Sequence, residues 1–240
     1  MLKSILLTVF AGLCCCSSYA KSPNGAWRLQ NGDTVQVAMF IDGYFSHSVF
    51  DKNNKKFIAT RGGAYKADED KIVVVWQYDT EKAAAAIAAD TWVGTTGLFQ
   101  IKQSGNTLHT NISGASAEWI RLDENDAPLA GVWRITHRKQ EGQLSEIPLR
   151  DRRTLKILTG TRFQWVAINI KTGEFSGTGG GTYTFKNGRY KENIEFFSRN
   201  NARVGASLTF DRRMENGQWH HAGKSSSGDP IYEIWGKLEE

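Results

Sequence analysis

The sequence predicts an all-β protein built from two tandem antiparallel β-barrels, each an up-and-down meander. Three observations lead to this fold class: short segments rich in β-branched and aromatic residues, frequent Asn-Gly and Asp-Gly turns, and a set of motifs that occurs twice in the same order. Asn-Gly and Asp-Gly supply the positive φ angles that two-residue hairpins require, and turns spaced by about eight to twelve residues favour a meander. Such a meander removes its unpaired edges by closing into a barrel.

Length and composition fit an ordinary folded protein of one or two domains. The chain has 240 residues, of which 40% are hydrophobic and 23% charged, so disorder is excluded for the chain as a whole. The net charge is +5, but the basic residues are scattered, and the densest group is Arg150, Arg152 and Arg153 with Lys156. Nucleic-acid-binding proteins usually concentrate positive charge on one face, so the sequence predicts no nucleic-acid partner.

Residues 1–20 have the pattern of a secretory signal peptide. Lys3 precedes a short apolar run over residues 5–16, and small residues follow up to Ala20, where we expect cleavage. The alternative is a lipid anchor on Cys16, which has a leucine three positions before it. We therefore expect a periplasmic or secreted protein, and cleavage after Ala20 would remove all three cysteines. No apolar run approaches the roughly 20 residues of a membrane-spanning helix, so no membrane span is expected.

The remaining chain contains two copies of one pattern. We assign the first copy to residues 24–123, a short linker to residues 124–128 and the second copy to residues 129–240. Because the matches keep their order along the chain, duplication of one domain explains them better than chance does. The matched segments are residues 25–29 with 131–135, 57–65 with 175–183, 93–94 with 204–205, 105–109 with 217–221, and 118–122 with 234–238.

Two local features of the copies carry structural predictions. The glycine run that contains Gly180 and Gly181 ends in a Gly-Gly-x-Tyr pattern that also occurs at residues 62–65, which predicts a bend in the barrel wall or a close backbone approach. Residues 81–90 are rich in alanine and lack glycine and proline, so we expect a short helix or lid there, with Thr80 as its N-cap. The second copy has a much shorter segment at this point, which predicts a tight loop.

The opening of each copy resembles the Gly-x-Trp signature of the lipocalins. The glycine and tryptophan are Gly25 and Trp27 in the first copy and Gly131 and Trp133 in the second. The chain therefore resembles the small lipocalin-like, calycin-type domains of exported bacterial proteins, arranged in tandem. It departs from typical lipocalins because each copy is shorter and lacks their disulfide.

This resemblance implies a specific contact and a general function. In lipocalins the signature tryptophan closes one barrel end beneath a basic residue of the last strand, through a cation–π contact. The basic residue would be Arg121 in the first copy and Lys237 in the second, with Arg28 and Arg134 as rival partners. The resemblance also implies a barrel that often holds a small apolar ligand, although one fold hosts many functions.

The second copy carries the candidate ligand-binding residues. Several of its strands have two mixed faces, and residues 189–199 place aromatic and charged side chains on both sides. A barrel with a ligand cavity accepts polar groups among aromatic ones in its interior, whereas the alternative is that the charged groups face water. An arginine would hold an anionic head, and the aromatic rings would hold an apolar body. The candidate set is Arg162, Trp165, Tyr183, Glu195, Phe197, Arg199 and His220.

Two further observations limit which polar residues can line the cavity. His220 and His221 are neighbours on a predicted strand, so at most one of them can enter a cavity. Glu195 and His220 of the second copy align near Val75 and with Leu108 of the first. The first copy therefore lacks these polar groups, and we expect it to be mainly structural. Further acid–base groups of the second copy are Glu192, Asp229 and Glu233.

The sequence predicts an exported lipocalin-like protein whose second barrel binds a small, partly apolar ligand, with an anionic group among the options. One alternative is an isomerase, cyclase or hydrolase on the same barrel, with Glu195 or His220 as acid or base. Another is a carbohydrate- or protein-binding module with exposed aromatic rings such as Trp92 or Trp219. The sequence indicates no metal and no cofactor, and it leaves the ligand, the oligomeric state and the choice between binding protein and enzyme open.

Overall fold

The computed structural model describes residues 22–238, so the predicted signal peptide and the Cys16 anchor lie outside the described part. Residues 22–238 form seventeen β-strands, one short α-helix and two 3-10 helices. We call the unit of β1–β8 barrel 1 and the unit of β9–β17 barrel 2. The strands are β1 (Gly25–Asn31), β2 (Thr34–Ile41), β3 (Tyr44–Asp51), β4 (Lys56–Asp68), β5 (Lys71–Asp79), β6 (Thr96–Ser104), β7 (Thr107–Thr110), β8 (Ala117–Asp123), β9 (Gly131–Gln140), β10 (Gln143–Glu146), β11 (Arg152–Leu158), β12 (Arg162–Asn169), β13 (Phe175–Lys186), β14 (Arg189–Phe197), β15 (Ser207–Glu215), β16 (Gln218–Lys224) and β17 (Pro230–Lys237).

Both sheets close on themselves. In barrel 1, β1 pairs with β2 on one side and with β8 on the other, and neighbouring strands are antiparallel throughout. In barrel 2, β9 pairs with β11 and with β17, while β10 forms a hairpin with the far end of β9. Eight antiparallel strands therefore close each barrel, which confirms the predicted all-β fold class and its tandem arrangement. Closure pairs the edges that an open meander would leave exposed.

The repeated glycines form equivalent β-bulges. The β4–β5 pairing shifts register between Gly62 and Gly63, and the β13–β14 pairing shifts between Gly180 and Gly181. A Cβ atom on Gly63 would lie 1.9 Å from a backbone oxygen of β5, and one on Gly181 would lie 2.0 Å from a backbone oxygen of β14. The predicted bend with a close backbone approach is therefore confirmed in both copies, since these sites exclude a Cβ atom.

The alanine-rich insert of the first copy is helical over a shorter stretch than the sequence predicts. The α-helix, α1, spans Thr80–Ala84, and a 3-10 helix follows at Ala89–Thr91. The N-cap is Asp79 and not Thr80, because the Asp79 carboxylate accepts hydrogen bonds from the first backbone N–H groups, whereas the Thr80 hydroxyl donates to a backbone carbonyl of β4. In the second copy the corresponding loop contains one 3-10 turn at Asn201–Arg203.

The Gly-x-Trp tryptophans close one end of each barrel. The guanidinium of Arg121 lies 4.1 Å from the ring centroid of Trp27, and the ammonium of Lys237 lies 4.7 Å from that of Trp133. Each indole N–H also donates to a backbone carbonyl just before the first strand of its barrel, at 2.7 and 2.9 Å. The expected cation–π contact is confirmed for Arg121 and Lys237. Of the two rival arginines, one is exposed and the other donates to backbone carbonyls.

The two barrels pack side by side through equivalent faces. Ser46 hydrogen-bonds with Gln164, the residue 118 positions later that occupies the same place in barrel 2. Phe57 stacks on its own counterpart, Phe175, with ring centroids 6.3 Å apart and planes 9° apart. Contact between equivalent residues is the mark of a two-fold interface. The apolar part of this face includes Val35, Val37, Met39, Ile41, Phe50 and Tyr78 of barrel 1 and Val132, Leu155, Ile157, Val166, Ile168 and Phe196 of barrel 2.

A buried polar network lies within this apolar face. The side-chain oxygen of Gln164 accepts hydrogen bonds from the hydroxyls of Ser46 and Ser48. Its side-chain nitrogen donates to the hydroxyls of Thr60 and Thr178, each at 3.0 Å. The amide is therefore fully satisfied, and any sliding of one barrel on the other would break these bonds.

Two aspartates of barrel 1 fasten it to the closed end of barrel 2. Asp123, the last residue of β8, accepts hydrogen bonds from backbone and hydroxyl groups of residues 159–161 in the β11–β12 loop. Asp42, in the β2–β3 turn, accepts a hydrogen bond from the ammonium of Lys237 at 3.1 Å. The docking contacts thus involve the closed end of barrel 2 and leave its opposite end free to form a mouth.

Candidate ligand cavity

The lumen of barrel 1 is filled by its own side chains. Arg61 extends into it, with the guanidinium 5.3 Å from the ring centroid of Trp76 and 5.7 Å from that of Phe99. Trp92, from the segment after α1, is 3% exposed and belongs to the same cluster. A cavity of about 370 Å³ remains beside His47 and Arg61 at one end. The centre of barrel 1 is therefore a packed core.

Barrel 2 encloses a larger cavity, with a volume of about 650 Å³, which lies within the range of small-molecule sites. It opens at the end opposite to Trp133, between the last residues of β9, the first residues of β11 and the β16–β17 loop. The charged side chains of its wall are Arg138, Lys139, Arg152, Lys156, Glu192, Arg199 and Glu233, and its apolar ones include Trp165, Ile194, Phe197, Leu208, Phe210, Ile231 and Trp235. Five cations against two carboxylates give this wall an excess of positive charge.

The floor of the cavity is a buried ion pair surrounded by aromatic rings. The ammonium of Lys156 lies 2.8 Å from Glu192 Oε1, and the two side chains are only 6% and 5% exposed. The carboxylate and the ring faces together offset the loss of water around the buried ammonium. The four rings, with centroids 5.1 to 5.9 Å from that ammonium, are those of Tyr190, Phe210, Trp219 and Trp235.

His221 lies at this floor as a neutral imidazole. It is 1% exposed, and burial together with the Lys156 ammonium holds its pKa well below the ordinary value. Its Nδ1 atom has no hydrogen-bond partner among residues 22–238, and neither has Nε1 of Trp235, which lines the same cavity. Since buried polar atoms are normally hydrogen-bonded, these two atoms are available to a ligand.

The mouth of the cavity carries positive charge that is only partly neutralised. Arg138 donates through Nε and Nη2 to one oxygen of Glu233, at 3.1 and 2.9 Å. Arg152 and Lys139 form no ion pair with a carboxylate of the described chain. Arg199 donates to the backbone carbonyl of residue 176, which fixes the guanidinium at the rim. Three consecutive serines, residues 225–227, complete this edge.

Three of the seven predicted ligand-binding residues lie on the cavity. Trp165 and Phe197 contact each other edge to face, with ring centroids 5.5 Å apart, and Arg199 lies at the rim. A Cβ atom on Gly179 would lie 2.7 Å from the indole nitrogen of Trp165, so a larger residue at this position would clash with the two rings. Ligand binding by these three residues stays a prediction.

The other predicted residues lie away from the cavity wall. Arg162 and Glu195 form an ion pair with each other. Tyr183 is 4% exposed near the closed end, where its hydroxyl donates to the carbonyl of Thr159 at 2.6 Å, and burial raises its pKa. These three side chains therefore support the barrel wall.

His220 points away from the lumen, and His221 points into it. The Nδ1 atom of His220 lies 2.7 Å from the hydroxyl of Tyr232, and the residue is not part of the cavity wall. The alternation of side chains along β16 decides this, as the sequence argument required. Glu195 and His220, the acid–base candidates of the enzyme alternative, thus do not meet at the cavity.

The carbohydrate- or protein-binding alternative expected exposed aromatic rings at Trp92 and Trp219, and the structure buries both. Trp92 is 3% exposed and Trp219 is 0% exposed, so that prediction is wrong. Each ring packs in the core of its own barrel, because the large apolar surface of an indole is more stable there than in water.

Strand pairing identifies what barrel 1 carries in place of the polar floor. Lys156, Glu192, His221 and Glu233 correspond by their pairing to Ala38, Val74, Thr110 and Ala117. The same pairing matches Glu195 with Gln77 and His220 with His109, so the expected matches with Val75 and Leu108 are wrong. For His220, the turn between β6 and β7 is Gly105-Asn106 and the turn between β15 and β16 is Asn216-Gly217, so matching the two glycines displaces the alignment by one residue. Barrel 1 therefore lacks the charged groups and the histidine at the positions that line the cavity of barrel 2.

The residues that form the floor are not among the predicted ligand-binding residues. Lys156 interrupts the apolar run of residues 155–158, and an isolated lysine in such a run is the signal that could have identified it. Glu192 and Glu233 were candidates for acid–base chemistry only. Their convergence with His221 depends on strands that lie far apart in the sequence, and no local pattern reveals it.

No protein-family model matches the sequence, and no curated protein matches it. None of the helices in the described part of the chain has the length and hydropathy of a membrane-spanning segment. Within residues 22–238, no three His, Cys, Asp or Glu side chains are grouped as a metal site.

Proposed function

We propose that barrel 2 binds a small amphiphilic anion, a partly apolar molecule with one acidic group. The observation that carries the proposal is the contrast between the two lumens. The centre of barrel 1 is a packed core with a cavity of about 370 Å³ at one end, whereas barrel 2 contains a cavity of about 650 Å³ with five cationic and two acidic side chains in its wall. Partly exposed rings such as Trp165 and Phe197 supply apolar contact area. Cations around an otherwise aromatic pocket favour an anion with an apolar body.

Thermal denaturation with matched ligands tests this proposal. Dodecanoate, dodecanol and dodecylammonium share one chain and differ in charge. A ligand at about 100 times its Kd stabilises the fold by about 2.7 kcal/mol, which raises Tm by about 5–10 °C in a protein of this size. We expect this rise with dodecanoate and a clearly smaller one with the other two. No rise with any anionic amphiphile would refute the proposal.

A matched pair of cavity-filling variants locates the binding site. Ala167 lines the cavity of barrel 2, and Val49 is its counterpart in barrel 1. Ala167→Trp should abolish the dodecanoate-induced rise in Tm, because the indole would occupy the lumen, whereas Val49→Trp should leave it intact. The reverse pattern would place binding in barrel 1.

Export forms the second part of the proposal, and it is supported by the pattern of residues 1–20. Expression of the full chain in a bacterium, followed by intact mass measurement, distinguishes the two forms of processing. Cleavage after Ala20 should yield a protein that begins at Lys21. A product that begins at a lipid-modified Cys16 would replace this with membrane anchoring, and an uncleaved chain in the cytoplasm would refute export.

A further inference from the structure

The cavity of barrel 2 is organised in three layers between mouth and floor. The mouth contains Arg152, Arg199 and the serines at residues 225–227. Below it lies a band of half-buried apolar side chains that includes Trp165 and Phe197. The floor contains the fully buried groups: the Lys156–Glu192 pair, His221, Phe210 and Trp235.

The floor carries no free positive charge for an anion. Lys156 is already neutralised by Glu192 at 2.8 Å. An entering carboxylate could reach the ammonium only by displacing Glu192, and that would leave a second carboxylate buried without a partner. Glu233, the other carboxylate of the wall, is already paired with Arg138 at 2.9 Å, so that pair offers no free cation to the deep end either. The deep end therefore disfavours a ligand anion.

The floor does offer hydrogen bonds to an uncharged polar group. Nε1 of Trp235 is a donor without a partner, and Nδ1 of the neutral His221 is a second free position within the described chain. An imidazole nitrogen can accept a hydrogen bond and an indole N–H can only donate one. A hydroxyl group meets both requirements because it donates and accepts.

The mouth of the cavity contains cations that are not paired with a carboxylate of residues 22–238. Within residues 22–238, neither Arg152 nor Arg199 forms an ion pair with a carboxylate. Arg199 donates through Nε and Nη2 to a backbone carbonyl. Guanidinium groups bind carboxylates and phosphate or sulfate esters through charge-assisted hydrogen bonds. The acidic group of a ligand therefore finds its partners at the rim.

We infer that the ligand enters with its apolar end first, keeps its acidic group at Arg152 and Arg199, and accepts a hydroxyl but not a second charge at its deep end. This inference rests on the proposed function and specifies its ligand class: single-headed anionic amphiphiles, including those with a terminal hydroxyl. A molecule with an acid at each end is excluded, because its second carboxylate would reach the Lys156–Glu192 pair, where no free cation remains to neutralise it.

Three probes of equal chain length test the inference on the wild-type protein: dodecanoate, 12-hydroxydodecanoate and dodecanedioate. Isothermal titration at about pH 8 should give a Kd for the hydroxy acid equal to or below that of dodecanoate. Dodecanedioate should bind at least about tenfold more weakly. A dianion that binds as well as the monoanion would overturn the orientation while leaving the proposed function intact.

A rim variant supplies the second measurement. Arg152→Gln combined with Arg199→Gln should weaken dodecanoate binding by about ten- to a hundredfold and flatten its dependence on salt. Arg189→Gln, at an exposed position of β14 outside the cavity wall, is the matched control and should bind as the wild type does. Unchanged affinity in the double variant would overturn the rim assignment. Absence of saturable binding of all three probes to the wild type would refute the proposed function itself.

Discussion

Acidification should destabilise this protein through a buried histidine of barrel 1. His47 is 5% exposed, and its Nε2 atom lies 2.9 Å from the side-chain oxygen of Gln36. Burial, with a smaller effect of the Arg61 guanidinium, lowers its pKa from 6.5 to about 3. Between these two values the unfolded chain binds a proton that the folded protein does not bind. Stability is therefore complete above about pH 6.5 and decreases as the pH falls towards 3.

The size of the effect follows from the unfolded pKa. At about pH 5 the solution lies about 1.5 pH units below 6.5, and at 1.36 kcal/mol per unit His47 alone lowers the free energy of unfolding by about 2 kcal/mol. In a protein of this size that corresponds to a fall in Tm of about 4–8 °C. His221 contributes with the same sign, because burial and the Lys156 ammonium hold its pKa down.

Thermal denaturation between about pH 8 and pH 5 measures this effect. His47→Gln removes the titrating group, so its stability should decrease by about 2 kcal/mol less over this range than that of the wild type. The control is His109→Gln, at a side chain that is 49% exposed, and it should follow the wild type. The comparison uses the pH dependence of each protein, so a constant difference in stability does not matter. Equal pH dependence in the wild type and His47→Gln would refute the reasoning.

Three substitutions test the fold itself. Gly181→Ala should lower the free energy of unfolding by about 2–3 kcal/mol, because the new Cβ would lie 2.0 Å from the backbone oxygen of Asn193. A urea midpoint equal to that of the wild type would contradict the bulge argument. Gln164→Leu should lower the free energy of unfolding, measured by urea denaturation, by about 2 kcal/mol, because it leaves buried hydroxyls between the barrels without partners. An unchanged urea midpoint would count against the network. Lys237→Met should cost about 1 kcal/mol, read as a small fall in Tm, because it removes the cation from the ring of Trp133 and from Asp42. A stabilised variant would count against both contacts.

The features that the sequence predicts correctly depend on short segments or on the repeat. The bulges at Gly63 and Gly181 were predictable because a Gly-Gly-x-Tyr pattern occurs twice, and a bend or a close backbone approach explains the same glycines in both copies. The contacts of Trp27 and Trp133 with the last strand followed from the lipocalin resemblance. In each case the determining residues lie close together in the sequence or are repeated in it.

The docking of the barrels was not predictable, and it explains the mixed strand faces. In β12, Gln164 and Val166 point away from the lumen and are nonetheless buried, because they face barrel 1. A mixed strand face can border a ligand cavity or water, as the sequence predicts, but it can also pack against a second barrel, as it does here. A strand buried on both sides has no clear alternation, so periodicity alone cannot identify its inner face.

The floor of the cavity could not be assigned for a related reason. Whether Glu192 or Glu195 points inward depends on the bulge that adds one residue to β14, and a shift of one residue reverses every side chain after it. The choice between His220 and His221 depends in the same way on the register of β16. Residue composition identified the right strands, and only the pairing partners determine the right side chains.

The two-fold docking also accounts for the difference between the lumens. Docking uses outward residues of both copies, so a change at that face disturbs two barrels at once, whereas a change at an inward position affects one lumen only. The inward position held by Gly179 in barrel 2 is Arg61 in barrel 1, and the position of Lys156 is Ala38. One copy can therefore pack its lumen and stabilise the pair while the other keeps a cavity, with the same docking face in both. Tandem-barrel proteins that share this docking face but bind different ligands should accordingly differ at the inward residues of barrel 2.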